Sequence, residues 1–298
     1  MTPTPAELQK PADARPRLTD YGAGFTAAVT FAAADILTKL VLADGADVLT
    51  LALVRSVIGI FLVAVWLRTG PTPVPLATRE KWTAALVGLL YAIIIYLIFR
   101  AIELLTVPMA ILTYFSYPLL TALIGARLGI EKLGVGAIVV AGVAFCGLGL
   151  MIGANPGHLG LQGVVFALLA SLGRVGVLLV SRVGLMRADA RLSTWYSNLT
   201  TTVLFALAAL LTQNWVPPQS GIGWVWVVLI GITTTTSVAA IFVSTTKIGP
   251  FRTALAMNLE PLLVTILSAA FLGELFTPLQ AVGAAVMIVS LFVFQLKR

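Results

Sequence analysis

Asp35, Arg55, Arg174 and Glu260 each fall inside a long apolar run of the chain. An ionisable side chain in such a run is costly unless a partner or a ligand offsets its desolvation, so each is a functional candidate. Asp35 and Lys39 lie four residues apart and share a helical face, where an ion pair would ease the burial of both. Arg55 offers a planar fork for a carboxylate, or a counter-charge for Asp35. Arg174 is the one base inside its run, Arg182 standing at the run's end. Glu260 lies near the middle of another, close to Asn258 and directly before Pro261. Proline removes a backbone donor and bends a helix, and the freed carbonyls can face a cavity. A carboxylate at such a point suits an ammonium group or a proton, or a counter-charge in a packed core.

Tyr117 precedes Pro118 in the same way, and Tyr114 lies three residues earlier on nearly the same face. They could stack on a ring while offering hydroxyls, and Tyr91 and Tyr96 read either as an extension of that wall or as belt residues at the membrane interface. Ser237 ends a run of four threonines, which reads either as a polar cavity wall or as a packing seam whose hydroxyls bond the preceding turn. Pro118 and Pro261 are the expected flex points. A set of catalytic groups is missing: His158 is the only histidine, Cys146 the only cysteine, and no Gly-x-x-x-x-Gly-Lys-Ser/Thr sequence is present. The expectation is therefore no enzyme, no cofactor and no metal.

The elements that position these groups follow from composition. The 298 residues are 59% hydrophobic and only 10% charged, with a mean hydropathy of +1.02, so lipid rather than water must cover most of the surface. Ten apolar stretches run over about 21–42, 47–68, 80–100, 106–128, 134–152, 160–182, 191–211, 222–245, 251–272 and 277–296. Each suits a helix crossing ~30 Å of hydrocarbon. Residues 1–20 are polar and Pro-rich, so a tail is expected there and no removable signal peptide. Counting the N-terminus and every second connection as one side places fifteen of the nineteen Lys and Arg there, against Arg100 alone on the other. Both termini are then cytoplasmic. That asymmetry also accounts for the formal charge of +7, so no nucleic acid is expected as a partner.

A single offset of 143 residues relates the two halves without a gap. It carries Pro118-Leu119-Leu120 onto Pro261-Leu262-Leu263, Glu131 onto Glu274, Gly88 onto Gly231 and Lys39 onto Arg182. Five helices per half is an odd number, so the second half enters the bilayer from the opposite face. The predicted fold is an all-α membrane protein of ten transmembrane helices in two inverted five-helix repeats: a tail over 1–20, a first repeat over 21–155 and a second over 156–298. Inverted repeats are a recurrent architecture of secondary transporters, with the solute site near the midplane.

Three features resemble the EamA-type drug/metabolite transporters. These are the stretch from Lys247 and Pro250 through Glu260-Pro261-Leu262-Leu263 to Gly273-Glu274, its looser first-half twin from Thr106 through Tyr117-Pro118 to Glu131, and Arg55 in the second helix. The first half departs from the pattern, with Tyr117 opposite Glu260 and no adjacent Gly-Glu pair. The resemblance implies a multi-pass protein of the bacterial inner membrane, and its layout is most similar to the amino-acid exporters. The expected solute is a small amphiphilic metabolite, with an aromatic or other bulky apolar amino acid the leading choice. Organic cations or anions and a non-transport scaffold are the alternatives. The expected substrate-binding set is Glu260, Tyr114, Tyr117, Tyr91, Asp35, Arg174, Ser237 and Asn258. Proton coupling through Asp35 or Glu260 and passive facilitation both fit the sequence, and oligomeric state is not legible in it.

Overall fold

A computed structural model describes residues 21–127, 134–153, 158–185 and 188–296. The tail 1–20, the Gly129-Ile130-Glu131 stretch, Arg187 and the last two residues lie outside this set, as do the side chains of His158, Arg182, Lys247 and Pro250.

The described chain is all helical: α1 Gly22–Ala43, α2 Val48–Thr69, α3 Thr78–Leu104, α4 Val107–Tyr114, α5 Tyr117–Arg127, α6 Val135–Gly153, α7 His158–Gly184, α8 Ala190–Thr212, α9 Gly221–Met257, α10 Leu259–Phe271 and α11 Pro278–Leu296. Seven helical stretches are long and apolar enough to cross a membrane, counting α4 with the start of α5 as one, and three shorter apolar helices accompany them. Large apolar side chains point outward, with Phe61, Trp82 and Leu211 exposed by 67%, 73% and 84%. Such a surface is stable against acyl chains and not against water.

Local chemistry sets the helix starts. Asp47 accepts from the amides of Leu49 and Thr50 to cap α2, and Glu80 accepts from the amide of Ala77 at the head of α3. Helix α4 stops at Tyr114 because Pro118 cannot donate to the Tyr114 carbonyl; the chain tightens, with Ser116 N donating to Thr113 O at 3.2 Å, and restarts as α5. The break at Asn258, three residues before Pro261, has the same origin.

The 37-residue α9 is not one straight rod. Straight, it would be ~55 Å long, and residues nine apart would be separated by ~13 Å. Yet the hydroxyls of Ser244 and Thr253 meet at 2.8 Å, so the chain doubles back between them. The arm after this turn, with α10, corresponds to the ninth apolar stretch of the sequence.

Shifting by 143 residues carries α2 onto α8, α5 onto α10 and α6 onto α11, and α3 with α4 onto α9. The leading contacts exchange under the same shift: α1 lies along α9, α3 lies along α7, and α6 lies along α11. Two glycines permit the close approaches. A Cβ on Gly88 would sit 2.3 Å from the Ser197 carbonyl oxygen of α8, and one on its counterpart Gly231 would sit 2.5 Å from Ile58 of α2.

The end of the bundle where α1 stops is closed by a clamp. Lys39 does not pair with Asp35 as its spacing suggested. Its ammonium donates to the carbonyls of Ile102 and Leu105, both at 2.7 Å, and lies 3.9 Å from Glu274. Glu274 in turn accepts from the amide of Val107 at 2.8 Å. A cation thus caps the C-terminus of α3 and an anion the N-terminus of α4, each matching the helix dipole it meets.

Candidate functional site

The interruptions described above bring the chemistry-bearing side chains to one place. Because α4 ends at Tyr114 and α5 begins at Tyr117, both tyrosines project from a short irregular turn, with ring centroids 5.5 Å apart and Phe115 alongside at 6.0 and 5.7 Å. Because α10 restarts after Asn258, Glu260 falls in the first turn of a helix deep in the bundle, where the amide end of α10 favours an anion. Glu260 is 7% exposed. Arg174 of α7 donates from Nη1 to the hydroxyl of Tyr91 of α3 at 2.7 Å. Its guanidinium carbon lies 5.6 Å from the centre of the Tyr91 ring and 5.7 Å from that of Tyr117, within cation–π range of both.

Asp35 of α1 and Arg55 of α2 interact electrostatically, and Arg55 also lies 5.8 Å from the centre of the Phe99 ring. Glu260 is within electrostatic reach of both Asp35 and Arg174. Two carboxylates, two guanidiniums and three tyrosines from six regions of the chain therefore face a common centre. Asp35, Arg55, Tyr91 and Arg174, well inside their helices, and Tyr114 and Tyr117, at the α4–α5 break, are all only partly covered. Part-exposed polar groups at such depth line space between the helices rather than packed core.

Six of the eight expected site residues, Asp35, Tyr91, Tyr114, Tyr117, Arg174 and Glu260, meet here. Asn258 is buried at the α9–α10 break beside Glu260. Ser237 is fully buried between α1 and α9, where its hydroxyl meets that of Thr30 at 2.5 Å and donates to the Thr233 carbonyl. Thr233, Thr234 and Thr235 each donate to a carbonyl of the preceding turn, the pattern of a packing seam. Tyr96 does not join Tyr91. It is 41% exposed and lines a separate groove of about 580 Å³ with Arg100, Glu103 and Phe205.

Sequence reasoning missed the ring of Phe99 under Arg55 and the Lys39–Glu274 clamp. A signal for the clamp was present: both charges recur in the other half at the same offset, as Arg182 and Glu131.

A comparison with protein families matches the EamA-like transporter family twice, over residues 20–153 and 161–296. The chain belongs to the EamA-like transporter family. This EamA-like protein is a multi-pass membrane transporter of small molecules, and members of its family are not enzymes. No curated protein matches it. A solved structure described only as "Crystal structure of protein" is similar with a TM-score of 0.65 and 21% identity, over 93% of this chain and 96% of that one. At that identity the likeness concerns the fold alone. Among the described residues no group of three or more His, Cys, Asp or Glu is placed to hold a metal ion.

Proposed function

We propose that this EamA-like transporter exports amino acids with aromatic or other bulky apolar side chains by alternating access. The observation that carries the reading is the side-chain cluster, in which Glu260 shares a buried centre with Tyr91, Tyr114 and Tyr117. A carboxylate offers an electrostatic partner for an ammonium group, and the tyrosine rings offer stacking surface and hydroxyls to an apolar side chain. The resemblance of the layout to the aromatic amino acid exporter YddG supports the same choice.

In this reading ten segments cross the bacterial inner membrane, in two inverted repeats over 21–155 and 156–298 with both termini cytoplasmic. The exchange of helix pairings under the 143-residue shift and the lysine and arginine asymmetry support that arrangement. The halves rock about the chamber, and the breaks before Pro118 and Pro261 give their helices freedom to bend.

The test is counterflow of labelled phenylalanine in proteoliposomes without an imposed ion gradient. Wild type is expected to concentrate the label, and Glu260→Gln to lose about ten-fold or more of the rate while melting as a folded protein. Absence of phenylalanine and tryptophan counterflow in folded, inserted wild type refutes the aromatic amino-acid reading.

A further inference from the structure

Resting on the transport reading above, we infer that Arg174 is the receptor for a carboxylate group on the transported solute, with Tyr91 and Tyr117 as the residues that position it. Of the two arginines, Arg174 is the one set directly against the tyrosine rings. Arg55 lies within electrostatic reach of Asp35 and against the ring of Phe99. Neither arginine has a carboxylate within 4.0 Å among the described residues. The close partners of Arg174 are the hydroxyls of Tyr91 and Tyr117 and the faces of both rings. Aromatic faces stabilise a cation without neutralising it.

A guanidinium has five N–H donors. Nη1 is engaged by Tyr91, whereas Nε is buried with no hydrogen-bond partner among the described residues. A buried, unused N–H of a charged group is unfavourable, and the Nε–Nη2 edge is the one that accepts a carboxylate through two parallel bonds. Tyr91, bonded to Nη1, holds the opposite edge, and Nε on this one is without a hydrogen-bond partner among the described residues.

Glu260 completes the pattern. It influences Arg174 electrostatically but forms no ion pair with it. The chamber thus presents a separated positive and negative pole beside a wall of tyrosines. A solute carrying both a carboxylate and an ammonium group answers both poles, an amine answers one, and a neutral solute answers neither. The specificity rule that follows is that a free carboxylate is required.

The experiment measures inhibition of phenylalanine counterflow in proteoliposomes by unlabelled phenylalanine, phenethylamine and 3-phenylpropionate, for wild type, Arg174→Gln, Arg174→Lys and Tyr91→Phe. Wild type is expected to favour phenylalanine over phenethylamine by about ten-fold or more, the value of one charge-assisted contact. Arg174→Gln is expected to abolish that preference. Arg174→Lys keeps the charge but loses the fork, and is expected to retain only part of it. Tyr91→Phe is expected to raise the KM for phenylalanine with little change in maximal rate, a split that a merely structural role would not produce.

The inference is overturned if folded Arg174→Gln keeps the wild-type preference. It is overturned equally, without any variant, if wild type is inhibited as well by phenethylamine as by phenylalanine. If wild type moves no phenylalanine at all, the aromatic amino-acid reading fails separately. The carboxylate rule is then read from thermal stabilisation of wild type against Arg174→Lys by matched carboxylates and amines, and equal stabilisation by the two classes overturns it.

Discussion

Asp189 illustrates how much one side chain can organise away from the chamber. It accepts from the amides of Arg191 at 2.9 Å and Leu192 at 3.4 Å to cap α8, and from the amide of Val74 at 3.2 Å in the α2–α3 connection. Partial burial pushes its carboxyl upward, but these amides and the Arg191 guanidinium outweigh that and hold it below the usual carboxylate range. A depressed native value means that the cap adds stability above the unfolded carboxyl range near pH ~4 and loses it as pH falls through the native value. We expect Asp189→Asn to lower the melting temperature at neutral pH by an amount worth about 1 kcal/mol. We also expect the gap from wild type to narrow below about pH 4, as followed by thermal melts in detergent. At the same scale, Lys39 shows why a spacing rule can mislead. Four residues separate it from Asp35, but carbonyls at the end of α3 are already aimed at the position the ammonium reaches. A rule local to one helix contains no information about the neighbouring helix.

Among the elements, glycines separate close packing from lipid contact. A Cβ on Gly88 would meet backbone of α8 at 2.3 Å, whereas one on Gly142 of α6 would meet nothing within 4 Å. Gly88→Ala is therefore expected to cost about 1–3 kcal/mol through a forced shift of α8. Gly142→Ala should be neutral or stabilising by up to about 1 kcal/mol through helix propensity. Paired melts of the two variants check both signs. Helix positions were largely legible in the sequence, because runs of apolar residues ended by Gly, Pro or charge leave the backbone few other ways to satisfy its hydrogen bonds in lipid. The breaks at Phe115–Ser116 and Asn258 were legible through Pro118 and Pro261. The doubling back inside α9 was visible only as a gap between two apolar stretches, since helical backbone bonding persists through it while its direction changes. Most of the site was legible because buried charge is rare in a chain with 10% charged residues. Which charge answers which was not, because that depends on how α1, α2, α7 and α10 face one another.

At the scale of the whole molecule, four formal charges occupy the centre of the bundle: Asp35 and Glu260 negative, Arg55 and Arg174 positive. With all four ionised the chamber is neutral, and a zwitterion entering it leaves it neutral. A membrane potential then has no net charge to act on as the loaded protein changes access, although one elementary charge crossing 100 mV is worth ~2.3 kcal/mol. Voltage becomes a readout of coupling. A potassium-diffusion potential imposed on the proteoliposomes is expected to leave phenylalanine flux unchanged if the solute travels alone. Flux that follows the potential would mean that each cycle carries one further charge, with a proton on Asp35 or Glu260 as the nearest carrier within the chamber.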